Sequence, residues 1–420
     1  MIERDYLPCQ HSIILNTFVL LIDYRDALRL VAEQSFTRNE ELVPLPAAAG
    51  RVLSQPVRAD RPQPPFNRVA MDGIAINYAA YAAGQRDFPI ARLQAAGQPP
   101  LPLTNPKQCV EIMTGAALPG GCTTVIRYED LERRGDAFRL PEGVEDGKSI
   151  HFAGADVAEG DLLLPAGSTV DVAATGMLAT CGYAEVPVVQ LPRTAVISTG
   201  NELVPVDATP APHQIRRSNV FQLVQLLRTA GIEAEHLHLE DDREALHRVL
   251  GEILAGYELV ILSGGVSKGK LDFVPEILSA LGVRTLFHGV AQRPGKPIWV
   301  GRTDTTMVFG LPGNPVSSVA CCQVYVGEHL RHRLGLPPRQ YQYVELATDI
   351  PFKPDLTHFD RVLIRQQPEA GTLLAHSVKN AGSGDAASLL RANGLVILPR
   401  GKDLFRAGEV YPCIPLNRLL

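Results

Sequence analysis

The sequence predicts a multidomain protein of the α/β plus β class, in which a parallel-sheet α/β domain follows a β-rich insertion and precedes a β domain. Three observations carry this reading. From Arg193 to Leu311, short apolar runs alternate with amphipathic helical stretches. Between Asp72 and His151, brief apolar runs such as Cys109 to Met113 and Thr124 to Tyr128 are separated by glycine and proline. After Leu336 the same short-strand pattern returns.

Taken in order, residues 1-23 read as an N-terminal extension. The apolar run Ile13 to Ile22 is too short to span a bilayer, follows Glu3, Arg4 and Asp5, and lacks an A-x-A cleavage pattern. Ala27, Leu28, Val31 and Ala32 then recur at helical spacing, which predicts a helix over Tyr24 to Ser35. Pro44, Pro46, Pro56, Pro62, Pro64 and Pro65 break helices and suit short strands and loops. Gly154 to Val189 combines a glycine-bounded strand pair with a small-residue helix, so 24-65 and 152-192 are expected to form one discontinuous first domain around a β-rich second domain at 66-151.

The third domain, 193-335, opens on the strand TAVISTG. It continues through helix Asn219 to Ala230, strand Ala234 to Leu239, helix Arg243 to Leu254, strand Leu259 to Ser263, helix Phe273 to Leu281 and strand Met307 to Leu311. Such alternation implies a parallel sheet covered by helices on both faces. Residues 336-420 form the last domain.

Composition narrows the function. The 420 residues are 45% hydrophobic and 20% charged, with a formal net charge of -5. No overall basic field exists for nucleic acid or an anionic membrane, so an anionic ligand must be held by local cations. The seven cysteines show neither paired CxxC spacing nor the density of a disulfide scaffold, which fits a reducing, cytoplasmic location. The eleven histidines show no H-E-x-x-H or Cys/His ligand spacing.

In an open parallel sheet, ligands bind where loops at the strand carboxyl ends present amide groups and helix N-termini to anions. Three such loops are unusual here. Ser198, Thr199 and Gly200 follow the first strand; Ser263, Gly264, Gly265, Ser267 and Lys268 follow the third; Pro312, Gly313, Asn314, Pro315 and Ser317 precede a helix. One glycine loop is commonly just a turn, but three on one sheet edge favour a phosphorylated ligand. None is a Walker A sequence and no G-x-G-x-x-G follows a strand, which disfavours a standard nucleotide kinase or dehydrogenase. Gln292-Arg293-Pro294-Gly295-Lys296-Pro297 sets two cations about a rigid turn that can clasp an oxyanion. Asp272 and Asp242 are candidate Mg²⁺ ligands. Helix capping is an equal alternative for Asp272, and for Asp242 a cap or a solvated face is the stronger one. By composition Ala70-Met71-Asp72-Gly73 and Met113-Thr114-Gly115-Ala116 are turns.

The ordered set PPFxxxAMDG, EIMTGA, GADV, STGNELV, SNVFQL, SGGVSKGKxDF, RPGKP and GLPGNPVS resembles the molybdopterin molybdotransferase family, from about Tyr24 into the last domain. The resemblance implies a homodimer of four-domain subunits whose third domain binds molybdopterin and whose fourth is a β-barrel, with the active site between the third domain of one subunit and the second of its partner. It implies that adenylylated molybdopterin and molybdate react with Mg²⁺ present, that the metal enters at the dithiolene and that AMP leaves. Carried over by motif, Asp72 and Thr114 face the site from the second domain, and Glu185 matches an acidic residue ending the first. Asp272, Arg293 and Lys296 lie on the third domain, where Ser218 and Asn219 join the substrate-binding set and Pro312 and Pro315 shape the molybdate-side loop. A molybdopterin adenylyltransferase is the expected partner supplying the intermediate.

Several positions depart from the family pattern. Arg293 stands where many members have lysine, which keeps the charge. Arg217 stands where many have aspartate, which reverses it; Lys268 replaces an often apolar residue, and Asn67-Arg68-Val69 a more polar stretch. These changes point to a divergent paralogue with altered ligand handling. They leave a non-catalytic pterin carrier or scaffold as one alternative. A molybdopterin adenylyltransferase is the other, disfavoured by the extra β-rich domains.

Overall fold

The computed structural model describes residues 21–266, 273–367 and 371–420. The described residues form two compact units, one from residues 21–41 together with those after 188 and the other from 42–188.

In the larger unit, strands β1 (Thr194–Thr199), β2 (Glu235–Leu239), β3 (Leu259–Ser263), β4 (Arg284–His288), β5 (Trp299–Arg302) and β6 (Met307–Leu311) form one sheet in the order β2-β1-β3-β6-β5-β4. The first four in that order run parallel, whereas β5 and β4 are antiparallel additions. The expectation of a parallel sheet is thus met in four strands and extended by two. Every residue of β1, β3 and β6 is buried, as strands covered on both faces require. Successive side chains point to opposite faces. Val196, Ile261 and Phe309 therefore join one core with Val220 and Leu223 of helix Asn219–Arg228, while Ala195, Ile197, Val260 and Leu262 join a second with Leu246, Leu250 and Ile277. The edge strands β2 and β4 keep exposed charged or polar residues, which guards their free edges.

The helix that follows β6 is continuous but irregular: Pro315–Cys321 is α-helical, Cys322–Val326 is a π turn, and Gly327–Leu334 is α-helical again. Beyond it, β7 (Gln342–Leu346), β8 (Thr357–Gln366), β9 (Leu373–Ser377), β10 (Gly394–Leu398) and β11 (Val410–Pro415) close on themselves as a five-stranded barrel, because β8 pairs with both β9 and β10. This bears out the barrel that the resemblance implied. Helix Tyr24–Ala32 packs Tyr24, Ala27 and Val31 into the core shared by the sheet and the barrel, and the Tyr24 ring meets Phe359 edge-on.

The smaller unit holds a six-stranded sheet in which Gly73–Ile76 lies between Thr124–Arg127 and Cys109–Ile112. Gly73 is required by this packing: a Cβ there would stand 1.9 Å from the Ile126 carbonyl oxygen. A second core gathers Leu53, Val57, Leu178 and Val186 around helix Val172–Thr180. Among the described residues six cysteines are free and buried, and no helix is long and apolar enough to cross a membrane.

One core residue sets a pH limit. His329 is fully buried against Phe36 and Phe309, and neither ring nitrogen has a hydrogen-bond partner. Burial, aided by the Arg333 charge, lowers its pKa from 6.5 to about 3. The folded state holds this ring neutral, and the unfolded state takes up the proton. Its contribution is complete above the unfolded pKa and is lost as pH falls from 6.5 toward 3. Between pH 7 and pH 4, urea unfolding of the native sequence should lose about 3 kcal/mol more than that of a His329→Leu variant; parallel losses would contradict this.

Candidate functional site

The cationic turn is built from below. Gln292–Arg293 forms a short strand beside Thr357 and His358 of β8, so the turn begins on the barrel wall. Gln292 is fully buried; its Nε2 donates to the Pro294 carbonyl at 3.0 Å, and its Oε1 accepts from the Tyr325 hydroxyl. Tyr325 lies in the π turn, a local widening often found beside functional sites. Gly295 has φ +92, and a Cβ there would stand 2.3 Å from the Cys321 sulfur, so only glycine lets the turn sit this close to the helix. With their backbone fixed, Arg293 and Lys296 are exposed.

Above the turn lies a cleft of about 430 Å³. Arg293 and Lys296 line it with Pro312, Asn314 and Ser317 from the loop after β6, and the barrel supplies His358, Arg361, Asn380 and Ser383. Among the described residues, no carboxylate lines it. Arg361 is 6% exposed and donates from Nη1 to the Gly382 carbonyl at 3.1 Å and to Ser388 Oγ at 2.5 Å, whereas its buried Nε has no partner. Burial lowers the Arg361 pKa, Asp360 and Asp385 oppose that shift, and the Arg293 charge adds to it. The His358 ring stacks on Phe352 and its Nδ1 lies 3.1 Å from the Arg293 carbonyl oxygen. Three permanent cations therefore converge on one concave space.

The loops at the strand ends meet beside this cleft. Asn219 Nδ2 donates to Ser263 Oγ at 2.9 Å and to the Gly313 carbonyl at 2.7 Å, which joins the loops after β3 and β6. Gly264 and Gly265 close on the end of β1: a Cβ on Gly265 would lie 2.8 Å from Thr199 Oγ1, a buried hydroxyl without a partner among the described residues. Ser198 Oγ is 3.0 Å from His238 Nδ1. Asn314 Nδ2 donates to Ser383 Oγ at 2.9 Å, tying this loop to the barrel. Ser218 precedes its helix without a side-chain cap bond, and Gly200 has φ +133.

Ser267, Lys268 and Asp272 are outside the described residues. Asp242 caps helix Arg243–Gly256, its Oδ1 accepting from the Ala245 amide at 2.8 Å. In the smaller unit, Asp72 and Thr114 are joined: Asp72 Oδ1 accepts from the Thr114 amide at 2.6 Å and from its hydroxyl at 2.7 Å. Pairing of Gly73 with Ile112 brings the AMDG and MTGA motifs together. The amide bond first, and then the hydroxyl bond, hold the Asp72 carboxyl below its ordinary pKa. Glu185 opens strand Glu185–Val189, exposed, and takes no part in this pair.

Sequence reading did not find His358, Arg361, Asn380 and Ser383. A signal was present: His358-Phe359-Asp360-Arg361 is a polar interruption of a barrel strand, and Asn380-Ala381-Gly382-Ser383 repeats the small-residue character of the other loops.

Three family models match the chain. The MoeA N-terminal region (domain I and II) matches residues 22–182, a probable molybdopterin binding domain 195–332, and the MoeA C-terminal region (domain IV) 343–416. A molybdopterin molybdenumtransferase of Synechocystis is 38% identical over 368 residues, covering 86% of this chain and 92% of the relative. One from Bacillus subtilis is 32% identical, covering 91% of each. A crystal structure of a molybdopterin biosynthesis MoeA protein from Pyrococcus horikoshii, 26% identical, superimposes with a TM-score of 0.81 and covers 94% of this chain and 99% of that one.

The Asp72 pair offers a direct test. Replacing Thr114 with Val removes the hydroxyl donor and leaves the amide, so ¹³C NMR should show the Asp72 carboxyl titrating at higher pH in Thr114→Val; an unchanged titration would show that the hydroxyl bond is not made.

Proposed function

We infer the activity from one premise: the chain belongs to the MoeA family, the molybdopterin molybdenumtransferases. It is a transferase of molybdenum cofactor biosynthesis that acts on a molybdopterin derivative. We propose the finer division of labour. The cleft on which Arg293, Lys296 and Arg361 converge receives molybdate, and that convergence of three cationic side chains is the observation that carries the reading. Charge-assisted hydrogen bonds to guanidinium and ammonium groups suit a tetrahedral oxyanion. The adjoining loops, through Ser198, Thr199, Gly200, Ser218, Asn219, Ser263, Gly264, Gly265 and Gly313 with Pro312, Asn314, Pro315 and Ser317, take the phosphate of adenylylated molybdopterin. A water molecule cleaves the phosphoanhydride, so that AMP leaves and the phosphate stays on the pterin; the two dithiolene sulfurs bind molybdenum as one oxo group departs as water with the two thiol protons.

Mg²⁺ was expected at Asp272 and Asp242. Among the described residues no group of three or more His, Cys, Asp or Glu side chains is arranged to hold a metal, and Asp242 Oδ1 serves its helix cap. Asp272, the other expected ligand, lies outside the described residues. Asp72, held ionised by Thr114, is a weak proton acceptor; its part is to orient water or attract a cation. In the proposed cytoplasmic homodimer, Asp72, Thr114 and Glu185 serve the pterin of a partner subunit, and a molybdopterin adenylyltransferase delivers the substrate. The carrier alternative rests on Arg217, whose buried Nε has no partner among the described residues.

Purified protein given adenylylated molybdopterin, molybdate and Mg²⁺ should release AMP. Lys296→Gln and Arg361→Gln should each raise the KM for molybdate by roughly 10- to 100-fold, the equivalent of one charged hydrogen bond, with a smaller change in the KM for the pterin. If the native sequence binds the pterin without AMP release, and Arg217→Asp restores release, the carrier reading replaces this one.

A further inference from the structure

A second cavity, about 650 Å³, opens where the last helix of the α/β region passes into the barrel. Among the described residues, the charged side chains that line it are all arginines, Arg331, Arg339 and Arg418, with the amides of Gln340, Gln342 and Asn417 between them. Arg331 donates from Nε and Nη2 to the Pro337 carbonyl at 3.2 and 2.8 Å, and Arg339 Nη2 donates to the carbonyls of Gln323 at 2.9 Å and Leu419 at 3.3 Å. These bonds orient two guanidinium groups without neutralising them, because a carbonyl carries no formal charge. Among the described residues none of the three arginines has a carboxylate within ion-pair distance.

The backbone is adapted to this arrangement. Gln323 belongs to the π turn, where the helical hydrogen-bond ladder is interrupted and its carbonyl can take the Arg339 donor. Gly327 follows at an ordinary helical position, where glycine costs about 1 kcal/mol relative to alanine. A Cβ at Gly327 would stand 2.5 Å from Arg339 Nη2, so its absence makes the space that Arg339 occupies. Burial lowers the guanidinium pKa of both Arg331 and Arg339, Arg418 adds to the effect on Arg331, and Arg331 adds to that on Arg339. Glu328 opposes both shifts but does not line the cavity. In a protein of net charge -5, this is a local cationic hollow suited to an anion.

We propose that this cavity binds a phosphorylated small molecule, with Arg331, Arg339 and Arg418 gripping its diphosphate group and the three amides bonding its remaining polar atoms. Guanidinium groups pair bidentately with phosphate, and the volume is that of a small-molecule site. The concave shape favours such a ligand over an acidic peptide. The site stands apart from the molybdate cleft and does not rest on the transferase reading.

Inorganic pyrophosphate is the probe, titrated calorimetrically into the full chain. Lys296→Gln weakens the first cleft, and this protein should still bind pyrophosphate through the arginine cavity. Adding Arg418→Gln, at an exposed position whose loss leaves the fold intact, should weaken that binding at least tenfold, whereas Arg418→Lys in the same background should weaken it less. Equal binding by Lys296→Gln proteins with Arg418 or with Gln at that position would overturn the proposal. So would the lack of pyrophosphate binding in Lys296→Gln protein, or an acidic peptide that binds the cavity more tightly than pyrophosphate.

Discussion

Gln292 is a fully buried polar side chain, and the way its amide is satisfied shapes the proposed molybdate cleft. A buried amide without partners would cost about 1–3 kcal/mol. Here the Pro294 carbonyl takes one donor and the Tyr325 hydroxyl supplies the acceptor, so one residue locks the cationic turn to the helix beneath it. The same two-residue strand pairs with β8 and thereby ties the turn to the barrel. Arg293 and Lys296 are long and flexible, and their separation is set by the backbone only because that backbone cannot move. Preorganisation of this kind reduces the entropy lost when an oxyanion is bound.

The α/β region and the barrel are consequently best understood together. Their hydrophobic residues share a core that includes Val196, Phe309, Phe359 and Ile414, so a wall of barrel side chains is held opposite the strand-end loops. Arg361 illustrates the consequence. It is almost wholly buried, and its charge is offset by Asp360 and Asp385 while Arg293 opposes it. An oxyanion in the cleft would relieve that repulsion, which gives this arrangement of cations a physical reason to favour an anionic ligand.

Much of this was legible in the sequence, for reasons that differ by element. Continuous apolar runs mark β1, β3 and β6 because both faces of those strands are covered, and the RPGKP turn is visible because proline, glycine and two cations fall together. Strands Arg284–His288 and Trp299–Arg302 were not assigned. The first is a half-exposed edge with no apolar run, and the second is a four-residue strand directly after that turn. The barrel side of the cleft was also hidden, since the closure that places Arg361 and Ser383 opposite Lys296 depends on pairing between distant strands. The motif resemblance located Asp72 and Thr114, but only the paired strands explain why those two turns meet.

Crystals soaked in molybdate and measured at the molybdenum absorption edge test the central claim most directly. The account places the anomalous peak in the cleft, within hydrogen-bonding reach of Arg293, Lys296 and Arg361. A well-occupied peak elsewhere, with none among those three side chains, would contradict it.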